Sequence, residues 1–340
     1  MNLPNPLIPG FNPDPGCVLV DGTYYLVTSS FEYLPGLPIY RSTDFVAWEH
    51  IGNVATREEQ VGIGHSPAGA GVWAPTIRHH NGRFHVIVSV TASPRGCVMF
   101  TAEGGTGSGH SVSVEWADGW PQPAPVDLQP RPEPVDEHCD FADDRALADP
   151  GWLAVGRTPA EVASSGERPG HLTIRAPSGG IDAFRPDFIG RRQRHLKSLF
   201  ETTIDPADGR GGLGLRFSED FTIALIAERT PSGTGTRVTA RACLPTLTQK
   251  STAELAGGPV RLRLETDTPP PGTTPWSTNG DLIRLTAVDA TGTETRLAEL
   301  DRRFWSVEMA APFTGRVVGM FAEHGTVHFS DFRYHRKGLS

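Results

Sequence analysis

The sequence predicts an all-β protein, and three observations lead there. Glycine (38) and proline (30) make up a fifth of the 340 residues, which favours many short elements joined by turns over long helices. A strand-turn-strand unit recurs near the N-terminus at an offset of 60 residues. From His171 onward, short apolar runs alternate with turn signals and no helical period develops. The expected architecture is a set of four-stranded propeller-type blades followed by an antiparallel β-sandwich.

The repeat aligns Pro15–Ser29 (PGCVLVDGTYYLVTS) with Pro75–Ser89 (PTIRHHNGRFHVIVS). Each copy reads as two strands around Asp21-Gly22 or Asn81-Gly82, the dipeptides that supply the positive φ of a tight hairpin turn. Leu37–Arg41 and Trp48–Val54 add two more short apolar runs, giving four strands in about 60 residues, the grain of a propeller blade. A propeller needs about 4 to 8 blades, and the repeat occurs only twice. Pro121–Pro134 then carries six prolines, and Asp127–Asp149 is polar and acidic, so residues 123–149 read as a linker. Beyond it the expected strands are His171–Arg175, Leu196–Ile204, Gly212–Phe217, Thr222–Glu228, Arg237–Cys243, Val260–Thr266, Leu282–Val288, Thr295–Leu300, Arg316–Glu323 and Val327–Tyr334. Ten strands without helices predict a sandwich over residues 150–340.

Composition removes several functional classes. Lys and Arg (31) are outnumbered by Asp and Glu (39), for a net charge of −8, and no basic cluster exceeds Gly190–Lys197, so no nucleic-acid partner is expected. No apolar run approaches the ~18 residues of a membrane helix, and no membrane partner is expected. The segment MNLPNPLIPG has neither the basic nor the apolar region of a secretory signal, which points to a cytoplasmic location. Cys17, Cys97, Cys139 and Cys243 lack metal or disulfide spacing and read as free, mostly buried thiols. His79, His80 and His85 have no carboxylate or thiol at ligand spacing, so no metal is expected, and the Gly-rich stretch from Glu103 lacks the Lys-Ser/Thr of a phosphate loop.

The stretch NPLIPGFNPDPG, followed by TYYLVTSSFEYLPGLPIYRSTDFVAWEHIGNV and GVWAPTIRHHNGRFHVI, resembles glycoside hydrolase family 43 of the β-xylosidase and α-L-arabinofuranosidase type. EGGTGSGHSVSV is similar to part of that family's fourth blade, EWADGWPQP to the close of its propeller, and HLTIRAP through RVVGMFAEHGTVHFSDFRYH to its C-terminal sandwich. The resemblance covers nearly the whole chain. It implies a five-bladed-type propeller, present here only in part over residues 1–122, and a jelly-roll, concanavalin-like sandwich after it. It also implies inverting hydrolysis of xylosides or arabinosides, a xylo- or arabino-oligosaccharide partner, and no cofactor.

Glycoside hydrolysis needs two carboxyl groups across the scissile bond, about 6.5 to 9.5 Å apart where a water must fit between them. By resemblance, Asp14 in Asn12-Pro13-Asp14-Pro15 is the general base, and the flanking prolines are expected to bias it to an extended conformation. Phe31 and Trp73 match positions lining the sugar subsite, where a ring face packs on the C–H face of a sugar. Taken alone, both rings read as core residues. Glu32 beside Phe31 reads as a solvated or structural carboxylate.

The chain departs from the family pattern where the chemistry is completed. It contains neither the Ile-Asp-Pro-Ser context of the family's pKa-tuning Asp nor the Glu-Gly-Pro-His type context of its general acid. Second-blade and fourth-blade segments meet near Thr101 and Ala102, and a second junction between Val114 and Glu115 removes the family's axial His, as internal deletions would. Glu103 is the one glutamate in the fourth-blade fragment and stands as a substitute acid, although its matched family position is a structural strand residue. Three readings follow: an impaired glycosidase, a non-catalytic carbohydrate-binding or structural remnant, and a homo-oligomer pooling blades across open strand edges.

Overall fold

The computed structural model describes residues 6–103, 114–117, 120–123, 136–143, 145–267, 282–310 and 312–337. Among these, helix is limited to three four-residue α-turns and two 3-10 turns, and no helix is long and apolar enough to cross a membrane.

The repeat builds the N-terminal half. Gly16–Val20, Thr23–Val27, Gly36–Ser42 and Glu49–Ala55 form a four-stranded antiparallel sheet in chain order, and Gly71–His80, Arg83–Thr91 and Gly96–Glu103 form a three-stranded one. Both first hairpins turn on two residues of positive φ, Asp21-Gly22 (47° and 73°) and Asn81-Gly82 (48° and 71°), as the dipeptides predict. Val114–Ala117 pairs with Trp120–Pro123 as a separate hairpin. Val27, Leu37, Ile77, Val86 and Val88 make one core between the two larger sheets. Their first strands run so close that a β-carbon on Gly16 would stand 2.6 Å from the Pro75 carbonyl oxygen, which explains a glycine there.

The C-terminal half is a two-layer sandwich organised by one long strand, Val317–Arg336. Its first half pairs with Asp187–Arg192 and Arg210–Arg216, and that layer continues through Thr222–Arg229, Gly235–Leu244 and Leu247–Ala256. Past Gly325 (φ 69°) the same strand enters the second layer between Ser198–Asp205 and His171–Ala176, which continues through Val260–Asp267, Leu282–Val288 and Glu294–Asp301. The sequence divides this strand in two at Gly325. The chain bends there without breaking, because both halves keep ladder partners. Leu213, Leu225, Leu262, Leu285, Met320 and Phe329 fill the space between the layers.

Three expectations change. Of residues 123–149, read as linker, 124–135 and 144 lie outside the described residues, whereas Asp136–Cys139 pairs with the last strand and Phe141 lies in the core. Part of this segment's acidity is complementary charge, since Glu137 contacts Arg191 and Arg194, and Asp149 lies 2.6 Å from Arg191. Part of the basic cluster Gly190–Lys197 is therefore paired, with Arg191 also stacked 4.3 Å from the centre of the Trp152 ring. Finally, Cys17 and Cys97 are exposed, because alternation turns both to the outer face of their strands.

Two strands meet the last one through glycine. Gly190 and Gly214 both stand opposite Gly319, and a β-carbon on Gly319 would lie 2.1 Å from the Ile189 carbonyl oxygen. We expect Gly319→Ala to destabilise the protein by about 2 kcal/mol or more. Urea unfolding checks this through a lowered midpoint at unchanged slope.

Candidate active site

The N-terminal sheets bring Asp14, Ser29 and Ala74 together, three positions far apart in the chain. Ser29 Oγ donates to Asp14 Oδ2 at 2.7 Å and accepts the Ala74 N–H at 2.7 Å, while the Ser29 N–H donates to the Pro13 carbonyl at 3.1 Å. Asp14 is exposed and has φ of 53°, a left-handed conformation rather than the extended one expected before Pro15. Aspartate tolerates this region better than most residues, and the Ser29 bond fixes its carboxylate in that pose.

Ala74 owes its free N–H to a bulge. The register between Gly71–His80 and Arg83–Thr91 shifts between Trp73 and Thr76, leaving Ala74 and Pro75 without ladder partners. Pro75 has no N–H to lose, and the Ala74 N–H turns to Ser29 instead. Ala74 (46°) and Phe31 (56°) have positive φ like Asp14, so three strained backbones converge on one place.

The bulge also aims Trp73. Its indole Nε1 donates to the Gly69 carbonyl at 2.9 Å, and its ring meets Phe31 at 5.3 Å and Phe313 at 6.1 Å, both edge to face. Phe11 adds a fourth ring, 6.4 Å from Phe31. Phe31 is fully buried, so its ring backs Trp73, whereas Trp73 is half-buried and Phe313 is 52% exposed. The open aromatic surface is thus Trp73 with Phe313, and Phe313 comes from the sandwich.

Glu32, read as a solvated or structural carboxylate, is not solvated. It is 1% exposed; Oε2 accepts the Gly69 N–H at 3.0 Å, and Oε1 has no hydrogen-bond partner. Burial pushes its carboxyl up from 4.5 to about 7, against the pull of Arg216 and Arg192. Such a value suits a general acid, but the group is sealed from any sugar.

Glu103 does not join this site. Its backbone pairs with Arg83, whose own partner is His80, so it lies at the opposite end of the hairpin from Trp73. Seven residues along a strand put roughly 23 Å between them, too far for an acid working with Asp14. Among the described residues no cluster of three or more His, Cys, Asp or Glu side chains could hold a metal ion.

The structure thus joins propeller-type sheets, with the Asp14 carboxylate beside the half-buried Trp73 and exposed Phe313, to a two-layer β-sandwich. The chain belongs to glycoside hydrolase family 43: residues 3–110 match the model for glycosyl hydrolases family 43, and residues 139–335 the model for the beta xylosidase C-terminal concanavalin A-like domain. It is 49% identical over 84 residues to the non-reducing end alpha-L-arabinofuranosidase BoGH43B of Bacteroides ovatus, a match covering 24% of this chain and 16% of that protein. It is 32% identical over 123 residues to a xylan 1,3-beta-xylosidase of Vibrio sp, covering 36% and 22%. The matched stretches therefore span less than a quarter of these curated relatives. The solved Bacteroides ovatus xyloglucan PUL GH43B shares the fold, with a TM-score of 0.78 at 20% identity over 98% of this chain and 99% of that one.

Sequence reasoning did not single out Ser29, Gly69 or Phe313. Ser29 carried a faint signal, closing the first repeat as Ser89 closes the second. Phe313 carried none, being 240 residues from Trp73 in the chain. The burial of Glu32 yields a prediction whose sign follows from linkage. Between pH 4.5 and about 7 the folded state keeps a proton that the unfolded chain releases. The stability contributed by Glu32 is thus fully present below pH 4.5 and lost as pH rises through 7, roughly 3 kcal/mol in all. Glu32→Gln should flatten this part of the stability profile and be more stable than the parent at pH 8, as measured by urea unfolding across pH.

Proposed function

We propose that the chain is a family 43 glycosidase of reduced competence, binding the end of a xylo- or arabino-oligosaccharide, with Asp14 as general base and Trp73 as the ring against the sugar. The observation that carries this reading is the Asp14–Ser29–Ala74 relay, which locks the carboxylate next to the residue that follows Trp73. Two of the matched relatives are an arabinofuranosidase and a xylosidase, which supports pentosides as the substrate class.

Reduced competence follows from the chemistry. An inverting reaction needs an acid to protonate the leaving oxygen while the base activates water on the opposite face. With Asp14 read as the base, Glu32 is sealed and Glu103 is at the wrong end of its hairpin. Loss of a general acid costs about 10² to 10⁴ in rate. The cost is smallest for leaving groups that depart without a proton.

Aryl xylosides and aryl arabinofuranosides with acidic phenols should therefore turn over slowly, with Asp14→Ala removing that turnover, while xylobiose is left intact. Release of the phenol and reducing-sugar assays measure both. Xylobiose hydrolysis within about tenfold of an undeleted family member would overturn the missing acid. Aryl turnover unaffected by Asp14→Ala would favour the second reading, a sugar-binding remnant.

A further inference from the structure

Glu32 is a cost to the fold: a carboxylate placed where almost no water reaches, with one oxygen unpartnered. Glutamine would accept the same Gly69 N–H without carrying a charge. Arg192 and Arg216 lie near enough to act on it electrostatically, yet each commits its hydrogen bonds elsewhere, Arg192 to the Ser30 and Thr314 carbonyls and Arg216 to the Ile181 carbonyl and Glu219. Its one hydrogen bond from another residue leads to Gly69.

Gly69 is where the open aromatic surface is assembled. Its N–H is held by Glu32 and its carbonyl holds the Trp73 indole. Its φ of +78° and the Pro312 side chain, 3.0 Å from where a β-carbon would stand, leave room for glycine alone. Pro312 leads into Phe313, the ring that meets Trp73 from the sandwich side. One carboxylate thus secures the peptide against which both rings are set.

We propose that Glu32 is a positioning residue, fixing Gly69 so that Trp73 and Phe313 form a single wall. That the wall receives a sugar rests on the function proposed above; the positioning itself does not. The charged carboxylate holds an N–H more strongly than the protonated one, so the grip tightens as pH rises through neutrality. The other groups facing Glu32 are Tyr33, which burial drives well upward, Arg192, which burial draws down, and Arg216, which is paired with Glu219.

Indole N–H resonances in a 15N–1H spectrum of the full chain test this. Of seven tryptophans, Trp73 is assigned by its loss in Trp73→Phe, and Trp152, whose indole donates to the Ala146 carbonyl in the sandwich, is the reference. We expect the Trp73 signal to shift with a midpoint near pH 7, the shift to vanish in Glu32→Gln, and Glu32→Ala to speed exchange of that indole hydrogen about tenfold while Trp152 is unmoved. A Trp73 signal indifferent to pH in the parent, or a titration retained in Glu32→Gln, overturns the proposal even if Glu32→Ala does not fold. Xylobiose and L-arabinose are then added to the parent. A Trp73 signal that follows Glu32 but ignores both sugars keeps the positioning role and sinks the sugar site instead.

Discussion

The antiparallel pairing of Tyr33–Leu34 with Ala154–Val155 ties the propeller-type sheets to the sandwich, and the conformation of the whole segment from Ser29 to Leu34 follows from it. The Gly156 N–H donates to the Glu32 carbonyl at 2.8 Å, and Phe31 forms a bridge with Val72 on the other side. The segment is gripped by main-chain bonds from both halves, because no buried peptide group can be left unpaired cheaply. Tyr33, Leu153, Val155, Phe188, Val317 and Phe321 close a core around the pairing. With its backbone thus over-determined, the segment can hold Phe31 at positive φ and Glu32 out of water. Ser29 is then presented to Asp14.

This junction is polar as well as apolar, and its two components pull in opposite directions. Arg192 reaches over the Tyr33 ring at 5.4 Å, and Arg216 is fully buried. Burying such groups costs more than apolar side chains of the same volume would. Arg192 adds specificity of docking, since its guanidinium must find the Ser30 carbonyl across the junction where a leucine could slide, whereas Arg216 bonds within the sandwich. The aromatic row from Phe11 to Phe313 spans both halves, so an error in docking would be an error in the site.

The two larger N-terminal sheets hold together through their own contacts. Their inner faces pack on one another, so the apolar side chains most in need of cover have it. The outer face of the second sheet has less: Ile87 and Met99 stand opposite each other in register and are 47% and 62% exposed. In a longer propeller that face would meet the following blade.

Where a rule depends on neighbours in the chain, the sequence alone determined the outcome. Asp21-Gly22 and Asn81-Gly82 set two hairpins, because a tight turn needs positive φ at adjacent residues. Alternation marked Val260–Asp267 and a short apolar run marked Leu282–Val288, since one face of each meets a core. The motif around Asp14 marked it, although its left-handed φ did not follow from the proline beside it. Only the tertiary structure decided the partners: that Ser29 holds Asp14, that Phe31 turns inward behind Trp73, and that Phe313 arrives from the sandwich. It also decided that Glu137 and Asp149 of the acidic stretch are paired with arginines and that Glu32 is buried. Local rules fix turns and strand faces. Burial and charge pairing belong to whichever distant segment the chain brings near, and no window of sequence contains both sides of such a contact.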